Sequence, residues 1–278
     1  MKALIVGLGL MGGAYALKLK NKGYEVYGTD LSDVAIDYAI KHEYVLDASK
    51  NPLKYIPDMD LIILCIYPTN ICEFLKKYHD SFKSDLLITD ISGVKSSYLE
   101  RACELAKPAS YLAHHPMAGR EKKGIIYSHL CDFKDANFII TPIKADDKNI
   151  EILKKLGADL GFGNIKIIDY KTHDEMIGFT SQLTHAIAVS LVNSDKRDDT
   201  KDFIGDSYRD LTRIAMINED LWSELFLENK DNLLKHIANF ESEIDKMKNA
   251  IKNNDTEELK RLFINSSKKR NEMNKWKL

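Results

Sequence analysis

Two adjacent histidines stand in the stretch LAHHPMAGR, residues 112–120. A neutral imidazole can accept a proton from a substrate hydroxyl while hydride leaves the same carbon. Neighbouring residues of a strand point to opposite sides, so we expect only one of His114 and His115 to face a site. Pro116 disfavours helix at His115 and fixes where the chain leaves the strand. A cap or core histidine is the alternative, and it suits His114 better than His115.

A glycine-rich loop, GLGLMGG at residues 7–13, is the second candidate site. It follows a short apolar run and precedes a helical pattern, which is the context of a dinucleotide-binding loop rather than of a merely structural turn. Gly7 permits a tight turn, Gly9 lets the backbone approach a pyrophosphate, and Gly12 allows close packing of helix on strand. The N-terminus of the helix would then face the phosphates.

An acid, Asp30, ends the next apolar run. Its carboxylate would accept hydrogen bonds from a ribose 2′-hydroxyl and repel a 2′-phosphate, which favours NAD over NADP. Thr29 and Ser32 nearby could soften that preference. The predicted cofactor-binding residues are Gly7, Leu8, Gly9, Leu10, Met11, Gly12 and Asp30.

A polar pair, Ser181 and His185, lies one turn apart on a predicted helix from Thr172 to about Asn193. Both faces of that helix are largely apolar, so we expect it to be buried all round. Buried polar groups need partners. The pair is either satisfied locally or directed into a cleft between two domains.

Strands and helices alternate through the first part of the chain. The predicted strands are residues 3–6, 24–30, 60–67, 85–92, 111–115, 137–141 and 165–169, with helices at 11–22 and 148–160. This alternation predicts an α/β fold with a Rossmann-type, mostly parallel sheet. Thr172 and Glu175 form a capping box that opens an all-helical remainder. We therefore expect an NAD-binding domain at 1–170 and a helical substrate-binding and dimerisation domain at 171–278.

Composition excludes several classes of protein. The formal net charge is −2 and hydrophobic residues make up 44% of the chain, which suits an ordinary globular protein rather than a nucleic-acid binder. The four cysteines form no CxxC pair and no metal-ligand cluster, as expected of a metal-free cytoplasmic protein. No apolar run is long enough to span a membrane. The glycines of the first segment argue against a signal peptide.

The sequence resembles the prephenate dehydrogenase family, which includes arogenate and cyclohexadienyl dehydrogenases. The stretches that carry the resemblance are VGLGLMGG, TDISGVKSSYL, HHPMAGREKKG, TSQLTHAIA and YRDLTRIAMINEDLWSELFLENK. They occur in family order and cover nearly the whole chain. The glycine loop alone is unspecific, whereas HPMAG followed by Glu121, TSQLTH and DLTRIA is far more specific.

The resemblance implies NAD-dependent oxidative decarboxylation of prephenate to 4-hydroxyphenylpyruvate in tyrosine biosynthesis. His115 matches the catalytic histidine and Arg213 the arginine that binds a substrate carboxylate. Ser181 and His185 match residues that line the pocket, and Glu121 falls at the mouth of the cleft. The resemblance also implies a homodimer formed through the helical domain. The apolar positions of LWSELFLENKDNLLKHI would serve such an interface, and they would also serve an internal core.

Two departures from the family pattern concern the site. A serine that often directly precedes Val-Lys is displaced by one residue, to Ser92, with Gly93 between. Either Ser92 takes over its contact with cofactor, substrate or catalytic histidine, or that contact is lost. Arg120 stands where relatives often have threonine; its cation adds affinity for a carboxylate or points to solvent.

Three other functions compete. Arogenate dehydrogenase shares fold and mechanism, and nothing in the sequence separates it from the first reading. A β-hydroxyacid dehydrogenase would usually place a lysine or aspartate on the first interdomain helix, where this chain has Ser181 and His185. A non-catalytic NAD-binding sensor would need neither His115 nor Arg213.

Overall fold

The computed structural model describes residues 1–118, 122–144 and 146–274. The chain divides by internal contacts into two compact units, Met1–Lys230 and Asp231–Leu278. The predicted functional boundary near residue 170 is a different division and stays a prediction. Arg120 and Glu121 lie outside the described residues.

A six-stranded parallel sheet forms the centre of the first unit. Its strands lie in the order β3-β2-β1-β4-β5-β6. They are β1 (Lys2–Val6), β2 (Glu25–Thr29), β3 (Asp47–Ser49), β4 (Leu61–Leu64), β5 (Leu87–Asp90) and β6 (Ser110–Tyr111). The short strand β3 is not predicted by the sequence pattern. The Rossmann-type α/β fold followed by helices is confirmed.

Both faces of this sheet are covered, because alternate residues of each strand enter different cores. Ala3 and Ile5 pack in one core, whereas Leu4 and Val6 pack in the other. The helices of the first core are α1 (Leu10–Asn21), α2 (Asp33–Lys41) and α5 (Asp147–Leu160), and those of the second are α3 (Pro68–Tyr78) and α4 (Leu99–Leu105). The carboxyl edge of the strands is left for a site.

The predicted strand at 111–115 is wrong as a single element. The chain leaves the main sheet after Tyr111 and enters a second sheet of three strands, β7 (Ala113–Pro116), β8 (Asn137–Thr141) and β9 (Asn164–Ile167). Strand β7 is antiparallel to β8, with His115 opposite Ile139. The histidines therefore lie within a strand of the small sheet rather than at the end of one in the main sheet.

The first helix after the sheets begins three residues earlier than the capping box predicts. Helix α6 (Tyr170–Ile177) is capped by Asp169, whose side chain accepts the N–H groups of Lys171 and Thr172. A π-helical turn, Gly178–Gln182, joins α6 to α7 (Leu183–Asn193). This extra-wide turn changes which residues share a face. The helix is not buried all round, since Met176 and Phe179 are about half exposed.

The remaining helices of the first unit are α8 (Asp206–Thr212) and α9 (Glu219–Glu228), with a 3₁₀ turn at Arg213–Ala215 between them. The second unit consists of α10, which begins at the unit boundary (Lys230–Lys252), and α11 (Thr256–Asn274). In the described ranges, no helix is both long and apolar enough to cross a membrane.

Candidate active site

His114 is a structural residue, as its alternative interpretation proposed. Its side chain is fully buried. Nδ1 lies 2.7 Å from Thr89 Oγ1 and Nε2 lies 3.0 Å from Tyr15 Oη. Burial, followed by the nearby charge of Lys95, lowers its pKa well below the usual value and keeps the ring neutral. Both nitrogens are thus used inside the core.

His115 points the other way and joins a chain of polar side chains. Its Nδ1 lies 2.9 Å from His173 Nε2, and His173 Nδ1 lies 2.7 Å from Asp174 Oδ1. Burial is the largest cause that lowers the pKa of His115 well below its usual value, and the nearby charge of Lys95 adds to it. A neutral His115 results, which is the form that can accept a proton.

Asp174 is buried, and the loop after β5 supplies its partners. The Lys95 N–H donates to the two carboxylate oxygens at 3.0 and 3.1 Å, and the Ser96 N–H donates at 2.6 Å. Burial raises the pKa of this carboxyl group, but hydrogen bonds from His173 and Ser96 outweigh burial and leave the pKa below its usual value. Asp174 is therefore a carboxylate at neutral pH.

A buried ion pair fixes the same loop against β7. Lys95 Nζ lies 2.6 Å from Asp90 Oδ1 and donates to the carbonyl oxygen of His114 at 2.8 Å. Asp90 also accepts hydrogen bonds from Tyr98 and Tyr111. This cluster holds the histidine strand β7 to the main sheet. Removal of either charged partner would leave the other charge buried and unpaired, which is strongly destabilising.

The space beside His115 Nε2 is bordered by Gly93 and α9. A Cβ built on Gly93 would lie 3.7 Å from His115 Nε2 and 3.5 Å from Leu225 Cδ2. One turn earlier on α9, Trp222 stacks on His185 with ring centroids 3.7 Å apart. Residues three apart share a helix face. His115 and His185 therefore border the same face of α9.

Ser181 and His185 are linked through the backbone. His185 Nδ1 lies 2.8 Å from the Ser181 carbonyl oxygen rather than from its hydroxyl. Arg213 is exposed, and its turn packs against α7, the helix that carries His185. The three predicted substrate-binding residues of the helical segment thus belong to adjoining elements.

Ser92 lies in a local turn, and the role predicted for it stays a prediction. Its hydroxyl donates to the Val94 carbonyl at 2.9 Å, and its own N–H donates to Asp90. This buried side chain closes a local turn, and Gly93 is the residue that borders His115.

The glycine loop has the shape that a pyrophosphate requires. Gly7 has a φ of +94°, and a Cβ on it would lie 2.4 Å from the Cys65 carbonyl oxygen. A Cβ on Gly12 would lie 1.8 Å from the Gly7 carbonyl oxygen. A Cβ on Gly9 would meet nothing within 4 Å. Packing therefore requires glycine at Gly7 and Gly12, whereas Gly9 leaves room beside the loop.

Asp30 is anchored at the end of β2. Its Oδ2 accepts the Leu8 N–H at 2.7 Å and its Oδ1 accepts the Ser32 N–H at 2.8 Å. Each carboxylate oxygen keeps a second acceptor position for a hydroxyl. The loop, the start of α1, which has no side-chain cap, and Asp30 together fit the phosphates and ribose of NAD.

Sequence reasoning missed His173, Asp174, Trp222 and Leu225. The His-Asp dipeptide lies inside the stretch read as a capping box, and that reading hid it. A carboxylate next to a histidine in the sequence can indicate a histidine that is oriented to act with a catalytic base. Trp222 and Leu225 lie in the stretch interpreted as a dimer interface or an internal core, and only their neighbours in the fold bring them to the site.

Comparisons with known proteins agree with this geometry. Residues 15–165 match the family model described as prephenate dehydrogenase, nucleotide-binding domain, and residues 169–265 match prephenate dehydrogenase, dimerization domain. Prephenate dehydrogenase of Lactococcus lactis subsp. cremoris is 30% identical over 98% of this chain and 77% of its own. Cyclohexadienyl dehydrogenase of Zymomonas mobilis is 27% identical over 96% of this chain and 94% of its own.

Among solved structures, prephenate dehydrogenase from A. aeolicus in complex with hydroxyphenyl propionate and NAD⁺ has a TM-score of 0.88 at 29% identity and covers 98% of both chains. Both the nucleotide-binding and the helical parts are matched, and the matches run nearly end to end. The chain therefore belongs to the prephenate dehydrogenase family.

Proposed function

We propose that this protein is an NAD-dependent prephenate dehydrogenase, which oxidises and decarboxylates prephenate to 4-hydroxyphenylpyruvate. The observation that carries the proposal is the neutral His115 imidazole, held at Nδ1 by His173, with Nε2 beside Gly93. NAD⁺ supplies the hydride acceptor. The reaction serves tyrosine biosynthesis.

His115 acts on the ring hydroxyl of the substrate. Nε2 accepts the hydroxyl proton as hydride leaves the same carbon, and loss of CO₂ then aromatises the ring. General-base assistance of this kind is worth about 10²–10⁴-fold in rate. Burial helps, because it keeps the imidazole neutral and the local dielectric low.

Arg213 is the proposed receptor for a carboxylate of the dianionic substrate. Its guanidinium is always charged and offers a planar fork that matches a carboxylate. Ser181 and His185 line the pocket from the adjoining helix, and Arg120 and Glu121 are proposed at its mouth. His185 is stacked on Trp222, which fixes the plane of its ring.

NAD is proposed to bind through Gly7, Leu8, Gly9, Leu10, Met11, Gly12 and Asp30. Gly9 leaves room for the pyrophosphate, and the open start of α1 offers backbone N–H groups. Asp30 accepts the ribose hydroxyls and disfavours a 2′-phosphate.

Steady-state kinetics test these assignments. With prephenate and NAD⁺, we expect His115→Asn to lower kcat by about 10²–10⁴-fold with little change in KM. Arg213→Ala should chiefly raise KM, because it removes binding of a group that does not react. The matched controls are His129→Asn, an exposed histidine, and Arg209→Ala, an exposed arginine of α8. Equal small effects in both site variants would refute the assignments.

Arogenate is the second candidate substrate, favoured by the similarity to a cyclohexadienyl dehydrogenase. It differs from prephenate in one substituent, an amino group in place of the keto oxygen of the side chain. NADH formation measured separately with prephenate, with arogenate and with neither distinguishes the two activities.

We also infer a cytoplasmic homodimer. The match of residues 169–265 to a dimerization domain supports the dimer. So do large exposed apolar side chains on the helices of the second unit, namely Leu234, Ile251, Phe263 and Ile264. In the described part of the chain, Cys65, Cys72 and Cys103 form no disulfide, which suits a reducing compartment. Sedimentation at micromolar concentration tests the dimer.

A further inference from the structure

The hydrogen-bond chain behind His115 has a direction. An ionised carboxylate can only accept hydrogen bonds, so Asp174 Oδ1 requires the proton to be on His173 Nδ1. A neutral His173 then presents a lone pair at Nε2. Because this lone pair faces His115 Nδ1 at 2.9 Å, His115 must carry its proton on Nδ1. The Nε2 of His115 is left as an acceptor.

Asp174, which sets the direction of this hydrogen-bond chain, is fixed by its own hydrogen bonds. Asp174 is fully buried, and the N–H groups of Lys95 and Ser96 bind its carboxylate. Its carbonyl oxygen accepts from Asn229 Nδ2 at 2.8 Å, and the same amide group of Asn229 lies 2.7 Å from Gln182 Oε1. Neither the side chain nor the backbone of Asp174 has freedom to turn.

At the other end of this hydrogen-bond chain, His115 Nε2 faces the site proposed for the substrate. In the described part of the protein, no hydrogen-bond partner is found for His115 Nε2, and Gly93 places no side chain against it. A substrate hydroxyl can therefore donate to this nitrogen directly.

We propose that His173 and Asp174 are positioning residues that deliver His115 in the tautomer whose Nε2 can accept the substrate proton. They do so without touching the substrate. The inference rests on the proposed function for its kinetic consequence, but the tautomer itself is a property of the protein with NAD⁺ alone.

The first test is Asp174→Asn. An asparagine side chain has a single acceptor oxygen. This oxygen should take the place of Asp174 Oδ2, where it accepts the Ser96 N–H that donates at 2.6 Å. The NH₂ group then faces His173 Nδ1, which must become an acceptor, and each ring downstream reverses its tautomer. His115 Nε2 would carry a proton and could not take another. We expect kcat to fall by about 10²-fold or more, with KM for prephenate within about two-fold.

The second test compares two replacements of His173. In His173→Gln, the side-chain oxygen can still accept from His115 Nδ1–H, so the chain keeps its direction without a carboxylate. In His173→Leu no acceptor remains. We expect the glutamine variant to retain at least about ten times the kcat of the leucine variant, a difference that a packing role alone would not give.

A spectroscopic readout separates the inference from the proposed function. Long-range ¹H–¹⁵N spectra of protein labelled with ¹⁵N-histidine, saturated with NAD⁺, report which nitrogen of each ring is protonated. We expect His115 to be protonated on Nδ1 in the unchanged protein and on Nε2 in Asp174→Asn. The control is Asp159→Asn on α5, which removes a carboxylate bonded to Tyr24 and Lys155; it should change neither kcat nor spectrum.

Each result decides one claim. If the unchanged protein oxidises neither prephenate nor arogenate, the proposed function fails, and the spectra still decide the tautomer. If His115 is protonated on Nε2 in the unchanged protein, the positioning role fails whatever the activity. If the leucine variant does not fold, Asp174→Asn alone decides, and an unaltered kcat there overturns the inference.

Discussion

At the scale of single residues, burial keeps three histidines neutral. The pKa values of His114, His115 and His173 are all lowered, in each case mainly because the ring is withdrawn from water. For His173 the neighbouring Asp174 opposes the effect without reversing it. Of the three, His115 is the one whose Nε2 has no hydrogen-bond partner in the described part of the protein, so the shift at this residue bears on the proposed catalysis.

The acid limb of the pH–rate profile should reflect that shift. kcat/KM reports ionisations of the free enzyme, and the base must be neutral to act. Because the pKa of His115 lies well below the usual 6.5, kcat/KM for prephenate should remain at its plateau through pH 6.5 and fall only at lower pH. In Asp174→Asn the plateau should be lower. A limb centred above pH 6.5 would contradict the neutral-histidine mechanism.

At the scale of elements, the period of the apolar runs predicted most of the sheet. Runs such as Leu61–Leu64 are buried on both faces, and this pattern leaves few alternatives to a parallel strand. The break after Tyr111 could not be predicted, because no turn residue interrupts residues 111–115 and only pairing with β8 separates the two strands. Asp169 was read as the end of a strand, although it also suits an N-cap.

The candidate site was predictable to the extent that its residues stand in recognisable spacing. His115 and the glycine loop belong to such stretches. His173 lies 58 residues from the nitrogen that it contacts. Its contact depends on the loop after β5 binding Asp174, which is a tertiary interaction that no local pattern encodes.

Two alanine substitutions in the glycine loop should both weaken NAD binding but should differ in their effect on stability. At Gly12 an alanine gains about 1 kcal/mol of helix propensity. However, its Cβ would lie 1.8 Å from the Gly7 carbonyl oxygen, so α1 must move from β1. We expect a net loss of about 1–3 kcal/mol in the free energy of unfolding, together with weaker NAD binding.

Gly9→Ala is the matched comparison, since its Cβ would meet no protein atom within 4 Å. The free energy of unfolding should change by less than about 1 kcal/mol. NAD affinity should nevertheless fall at least about tenfold, because the methyl group occupies the room left for the pyrophosphate. Urea unfolding and calorimetric titration with NAD measure both effects. Undiminished affinity in Gly9→Ala would place the cofactor elsewhere.

At the scale of the molecule, the first compact unit contains both the sheets and helices α6 to α9. The reason lies in polar contacts of the helices with loops of the sheet domain. Asp174 binds the loop after β5, and Glu224 accepts the Thr69 N–H at the start of α3 at 2.6 Å. A division by function at residue 170 and a division by packing at residue 230 can thus coexist. Loss of the hydrogen-bond chain from His115 through His173 to Asp174 should lower the free energy of unfolding of this whole unit.

The stability of the protein should therefore fall in mild acid. In the unfolded chain each histidine titrates near its usual pKa of 6.5, whereas in the folded protein the pKa values of His114, His115 and His173 are lower. The unfolded state then binds more protons, so their contribution is fully present above pH 6.5 and is lost as the pH falls toward the folded values. The slope approaches about 1.4 kcal/mol per pH unit for each histidine.

Urea unfolding between pH 7.5 and 5 measures this loss. His114→Gln should reduce the slope, because a glutamine keeps hydrogen-bonding capacity between Thr89 and Tyr15 but has no proton to bind as the protein unfolds. Exposed His129 is the control, and His129→Gln should leave the slope unchanged. If the slope is the same in all three proteins, His114 is not the neutral core residue described here, and carboxyl groups must account for any acid sensitivity.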